Sequence, residues 1–303
     1  MTRRGWALLL AMGVIWGVPY LLIKVAVEEV TPATVVLART AIGALLLLPF
    51  ALRGGGLRPL RGHWRAVVAF AVLELVIPWI LLSNAERTLA SSTTGLLVAT
   101  VPIAAVVIGR FVDHQAVALV RWVGLVVALG GVALLLGPGA AAGGDPWAVV
   151  QVLVAALGYA IAPIIAERHL RGVPAIPLTT VCLTLAALVY LPVVVLEAPH
   201  ARPGTDAVAA LVVLGVVCTA LAFVLFFRLI EEVGGARSTL VAYLNPVVAV
   251  ALGAVILDEP LTLAVVVAAA LILAGSAAAS RRSATARPGA TLAEAATELE
   301  LRS

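Results

Sequence analysis

Apolar residues run almost unbroken for about twenty positions at a time along this chain, and short polar clusters separate the runs. The runs do not alternate with a period of two, so strands are excluded, and each is long enough to cross a ~30 Å hydrocarbon layer as a helix. Ten helices are predicted, over 6–27, 33–52, 66–84, 92–111, 117–137, 147–166, 176–196, 207–229, 236–257 and 261–280. The connections are short, so neighbours form antiparallel hairpins. The longest breaks, around Arg53–Arg65, Gly137–Pro146 and Glu197–Asp206, are rich in Gly, Pro or charge. The expected fold class is an all-α polytopic membrane protein of ten transmembrane helices.

The pattern also repeats. An offset of 144 residues superposes Pro102 on Pro246, Gly109 on Gly253 and Gly131 on Gly275. Near the start of each half, Trp6 meets Trp147 and Gly17 meets Gly158 at 141. Residues 1–140 and 141–280 thus read as two five-helix repeats, and 281–303 as a polar cytoplasmic tail. Five is odd, so the second repeat enters the membrane from the opposite side. Two inverted repeats with a site between them near the midplane are an architecture of secondary transporters.

Composition agrees with the pattern. The chain is 63% hydrophobic and 12% charged, against roughly 45–50% and about 25% in soluble domains, an excess that one soluble core cannot hide. The net charge of +4 is no nucleic-acid signal, because the basic residues lie between spans. With the N-terminus in the cytoplasm, sixteen of the twenty Lys and Arg residues fall on the cytoplasmic side. Both termini are therefore expected there, in the cell membrane. Arg3, Arg4 and the following run imitate a signal peptide, but the run continues to about Val27 and reads as a retained first span. Cys182 and Cys218 each fall inside an apolar run and read as small buried side chains.

The chain resembles the drug/metabolite transporter superfamily in its EamA-type ten-helix branch. The resemblance rests on Trp16-Gly17 with Lys24, on Glu29-Val30-Thr31-Pro32, and on Arg39 with Ala44-Leu45-Leu46-Leu47-Leu48-Pro49. Leu244-Asn245-Pro246 and Leu257-Asp258-Glu259-Pro260-Leu261 complete it. Val112-Asp113-His114-Gln115 departs from the Gly-Glu turn common in the family. The resemblance implies movement of small metabolites across the membrane.

Polar side chains inside the spans are the candidate chemistry, because intramembrane charge is costly. Trp16, Tyr20 and Lys24 share one face of the first helix, a surface for a cationic or amphipathic substrate or for helix packing. Arg39 and Glu74 lie in helices two and three. Glu74 is a candidate proton carrier or substrate contact, and an ion pair with Arg39 or Lys24 is the competing reading. Trp79, Tyr159 and Tyr243 are further candidates. Asn245 precedes Pro246, whose ring frees a helix carbonyl. Its amide serves either that backbone or the substrate. Asp258 and Pro260 are expected to cap and begin the tenth helix. Gly109, Gly131, Gly253 and Gly275 are expected to be close-packing positions.

The sequence has no phosphate-binding glycine loop, dinucleotide fingerprint or HExxH, so no cofactor, metal or nucleotide hydrolysis is expected. The expected function is a secondary transporter or facilitator of a small organic metabolite (an amino acid, a nucleobase or a cationic compound), with export the expected direction. Its expected partners are the substrate, the lipid bilayer and a coupling proton, in a monomer or weak homodimer. The alternative is an integral-membrane enzyme acting on lipid-linked substrates, which requires acids or histidines clustered at one interface.

Overall fold

The computed structural model describes residues 1–53, 56–112, 118–137, 145–197 and 202–280. The turn at Asp113-His114-Gln115 and the tail 281–303 lie outside the described residues. Ten apolar helices follow one another: α1 Arg3–Val27, α2 Pro32–Arg53, α3 Arg58–Ala85, α4 Ser91–Arg110, α5 Leu119–Leu136, α6 Pro146–His169, α7 Ala175–Leu196, α8 Thr205–Val233, α9 Val241–Ile256 and α10 Leu263–Ala279. The predicted limits differ from these by a few residues, except at both ends of the α8–α9 connection and at the start of α3. There a 3₁₀ segment, Arg58–His63, leads into the helix, and a separate turn of helix, Gly235–Ser238, precedes α9.

The helices pack with a two-fold regularity. α1 lies against α8 and α9, and α6 lies against α3 and α4. α2 pairs with α7, α4 with α9 and α5 with α10. Exchanging the first five helices for the last five leaves this set of pairs unchanged. The offset of 144 also maps an irregularity. α3 contains a π-helical turn over Val72–Val76, and α8 contains one over Val216–Leu221. Such turns widen a helix by one residue and often mark functional positions.

Small residues permit the closest approaches, as lipid supplies no hydrophobic drive between helices. A Cβ on Gly275 would lie 2.5 Å from the Ala128 backbone nitrogen, and one on Gly124 would lie 2.6 Å from the Gly275 carbonyl oxygen. Gly131 meets Ala268 and Ile272 in the same α5–α10 seam. Gly109 is different: no atom lies within 4 Å of where its Cβ would stand, so among the described residues it is not a packing position. Apolar side chains such as Leu45, Val126, Val195 and Leu196 cover the outside. Trp6, Trp64 and Trp147 are exposed at the ends of α1, α3 and α6, where tryptophan suits the membrane–water boundary.

The acidic turn between α9 and α10 differs from expectation. The N-cap of α10 is Thr262, whose hydroxyl accepts from the Val265 N–H, and the helix begins at Leu263. Asp258 instead adopts a left-handed conformation at φ 52°, a region Asp tolerates better than most residues. Glu259 reaches away to α4, accepting from the backbone N–H groups of Ser91 at 2.6 Å and Ser92 at 3.0 Å. An acid at this positive helix end is favourable, but the helix it serves is the fourth and not the tenth.

Candidate functional site

Four of the candidate side chains converge where α1, α2, α3 and α6 meet α8. Arg39 is 8% exposed on α2. Its guanidinium carbon lies 3.7 Å from the centre of the Trp79 ring on α3. Its Nε donates to Thr219 Oγ1 on α8 at 2.9 Å. Thr219 can accept because its own proton goes to the Leu214 carbonyl at 2.8 Å, five residues back, across the π turn. The wide turn in α8 thereby aims a hydroxyl at Arg39. The Trp79 indole lies beside the Tyr159 side chain on α6. Tyr159 also lies within electrostatic reach of Tyr20, Arg39 and Glu74. The assembly offers a cation, two phenols and an indole in a water-poor place, a combination able to hold an ionised group beside a flat or apolar one.

Glu74 sits inside the π turn of α3, where Ile77 N–H bonds back to the Val72 carbonyl and Pro78 follows. Arg39 and Lys24 both engage other groups, so neither is its ion-pair partner. Lys24 Nζ donates to two main-chain carbonyls at the end of α3, Glu86 O at 2.7 Å and Leu89 O at 3.0 Å. A cation at this negative helix end caps it, and α1 is thereby fastened to the α3–α4 turn.

Three other candidates stand apart. Trp16 packs on aromatic residues of α8, with its ring centre 4.6 Å from that of Phe226 and 6.1 Å from that of Phe223. Tyr243 reaches α10, its hydroxyl 2.7 Å from Ser280 Oγ. With its amide oriented so that the nitrogen and not the oxygen meets these two acceptors, Asn245 donates to the carbonyls of Val241 at 2.9 Å and Gly13 at 3.3 Å, tying α9 to α1. Both of its bonds go to backbone.

A cavity of about 490 Å³ opens on the face that carries the α1–α2 and α3–α4 connections. Glu28, Glu29, Arg87 and Glu197 line it, with Asn84 and Tyr190. The Tyr190 hydroxyl donates to the Val76 carbonyl at 2.9 Å, at the end of the π turn that holds Glu74. Asn84 donates to Gln151 of α6 at 3.0 Å. The cavity therefore borders the elements that carry the polar cluster.

Sequence reasoning missed three residues here: Thr219, Glu86 and Glu259 as a cap of α4. Thr219 had a signal, being a lone hydroxyl within the run Val216–Phe227. Glu86 reads from sequence as part of a polar turn, yet it is fully buried. Only the fold shows that α1 covers it.

The profile of the EamA-like transporter family matches the chain twice, over residues 3–137 and 146–281. The chain is 29% identical over 249 residues to YedA of Escherichia coli K12, whose name is that of an uncharacterized inner membrane transporter; the match covers 81% of this chain and 80% of that one. It is 27% identical over 242 residues to the uncharacterized transporter YdfC of Bacillus subtilis, covering 78% and 77%. A solved crystal structure with 21% identity superposes with a TM-score of 0.66 over 92% of this chain and 96% of its own, a likeness of fold.

Proposed function

Because this chain belongs to the EamA-like transporter family, we propose that it is a secondary transporter that moves a small organic metabolite through the Arg39–Trp79–Tyr159 cluster by alternating access. One observation carries this reading. A buried guanidinium is held at once by an indole of α3 and by a hydroxyl of α8, so groups from both five-helix sets fix one cation among apolar spans. An unpaired charge there is costly and calls for a partner. A substrate carboxylate or other anionic group suits Arg39, and the Trp79, Tyr159 and Tyr20 rings suit an aromatic or aliphatic remainder. Amino acids meet both demands; a nucleobase meets the second.

In this reading the two-fold arrangement of pairs supplies two equivalent shapes, one open to each side. The distribution of Lys and Arg supports a cytoplasmic position for both termini. The Glu28–Arg87–Glu197 cavity then opens outward. Transport draws on gradients, with protons as the coupling ion, and no catalytic step is needed.

The test is a panel of amino acids, nucleobases and cationic compounds offered to proteoliposomes, with and without an imposed proton gradient. At least one compound is expected to accumulate faster than in protein-free vesicles. Arg39→Lys, which keeps the charge but loses the planar stack, is expected to slow it roughly tenfold or more.

A further inference from the structure

Glu86 carries a chemistry that the substrate cluster does not use. It follows α3 directly, is 0% exposed, and neither carboxyl oxygen has a hydrogen-bond partner among the described residues. The hydroxyl of Ser91, five residues on, is buried and unpartnered as well. Lys24 lies against Glu86 yet gives its protons to the main-chain carbonyls of Glu86 and Leu89. Had the carboxyl been ionised, the nearest ammonium would have been drawn to it, since an unpaired buried charge is far more costly than an unpaired carbonyl. The arrangement fits a neutral carboxyl.

The neighbours make this a switch. The α3–α4 turn is held from two sides in this conformation. Lys24 ties it to α1, and Glu259 ties the start of α4 to the α9–α10 turn. The charged and titratable groups facing Glu86 are Lys24 and Tyr20 from α1, Arg39 from α2 and Glu259 from the α9–α10 turn. Two are cations that favour an ionised Glu86 and one is a carboxylate that opposes it. Ionisation of Glu86 turns Lys24 from the carbonyls to the carboxylate and adds a like charge beside Glu259, so both ties weaken together. Protonation restores them.

We propose that Glu86 is a proton-binding site that controls a gate at the α3–α4 turn, neutral when the turn is tied down as here and ionised when Lys24 pairs with it and the turn opens. The proton passes to water through the opened gate and returns from water when the gate recloses, so proton binding and access to one side of the membrane are the same event. The inference rests on the transporter reading but concerns a different residue. Transport of any compound is then slower when Glu86 cannot ionise.

The experiment uses the full chain in lipid vesicles and two readouts that need no substrate. First, infrared difference spectra between low and high pH are expected to show the carbonyl stretch of a protonated carboxylic acid that Glu86→Gln lacks and Glu259→Gln keeps. Second, Ser92→Cys is placed in a Cys182→Ala, Cys218→Ala background. Its maleimide labelling, normalised to the unfolded chain to remove the thiol's own titration, is expected to rise roughly tenfold as pH increases. With Glu86→Gln added, labelling is expected to stay slow at every pH. Glu86→Asp keeps a titrating acid and is expected to retain the band, which guards against a Gln variant that fails to fold. The proposal is overturned if Glu86→Gln leaves the spectrum unchanged, if labelling keeps its pH dependence without Glu86, or if sodium at constant pH, and not protons, drives the labelling change. An inactive compound panel leaves these readouts intact, and a missing band leaves the transporter reading standing.

Discussion

The Arg39 guanidinium stacks 3.7 Å from the centre of the Trp79 ring while its Nε is held by Thr219 from the other half of the chain. Cation–π contacts are worth about 0.5–1 kcal/mol when exposed and about 2 when desolvated. Arg39 and Trp79 are both buried, so the larger figure applies. A double-mutant cycle with Arg39→Lys and Trp79→Leu, read by thermal unfolding in detergent, is expected to give a coupling of about 1–2 kcal/mol. Additive effects would mean that the stack contributes no energy.

The α5–α10 seam tolerates no side chain at Gly275, because the two nearest blocking atoms are backbone and the third is the Ala128 Cβ. Gly275→Ala is expected to destabilise by about 1–3 kcal/mol, as overpacking does. Gly109→Ala has open space around it and is expected to be neutral or slightly stabilising, since alanine favours the helix by up to about 1 kcal/mol. Thermal unfolding of the two variants side by side checks the contrast.

Glu259 caps α4 from a distance of 168 residues in sequence. Glu259→Ala leaves the Ser91 and Ser92 N–H groups without their acceptor, a loss of about 0.5–2 kcal/mol for an N-cap. Hydrogen exchange is expected to quicken at the start of α4 and to stay unchanged along the α5–α10 seam. Asp258→Gly, by contrast, relieves a left-handed residue and is expected to cost nothing.

Asn245 donates to the carbonyls of Val241 and Gly13. Asn245→Ala is expected to lower stability by about 0.5–1.5 kcal/mol, the range for an ordinary hydrogen bond lost, because both carbonyls keep their own helix donors. The substrate KM is expected to stay within about twofold, because the amide bonds only to backbone in this conformation. A KM that rises tenfold at unchanged stability would return Asn245 to the substrate path.

Helix number and most boundaries were legible because each span must satisfy its own backbone in lipid, which leaves long apolar runs in the sequence. The 144-residue offset was legible because Pro and Gly recur at it, and two of the positions it relates, Gly131 and Gly275, both lie in the α5–α10 seam. Long-range partners were not legible. Nothing local to Asp258-Glu259-Pro260 says that the second acid serves α4, and nothing near Glu86 says that α1 seals it. Arg39 and Glu74 looked like natural partners by depth alone. The π turn of α8 decided otherwise, since it presents Thr219 to Arg39, and π turns leave no mark in hydropathy.

The central claim is that substrate passes through the buried Arg39–Trp79–Tyr159 cluster. Initial transport rates of a compound found by the proteoliposome panel test it most directly, measured for the wild type, Arg39→Lys and Tyr159→Phe at matched thermal stability. The account predicts that Arg39→Lys loses roughly tenfold or more in rate, and that Tyr159→Phe, which removes only the phenol hydroxyl, loses about two- to tenfold. Unchanged rates in both variants, with the same compound still moving, would contradict it.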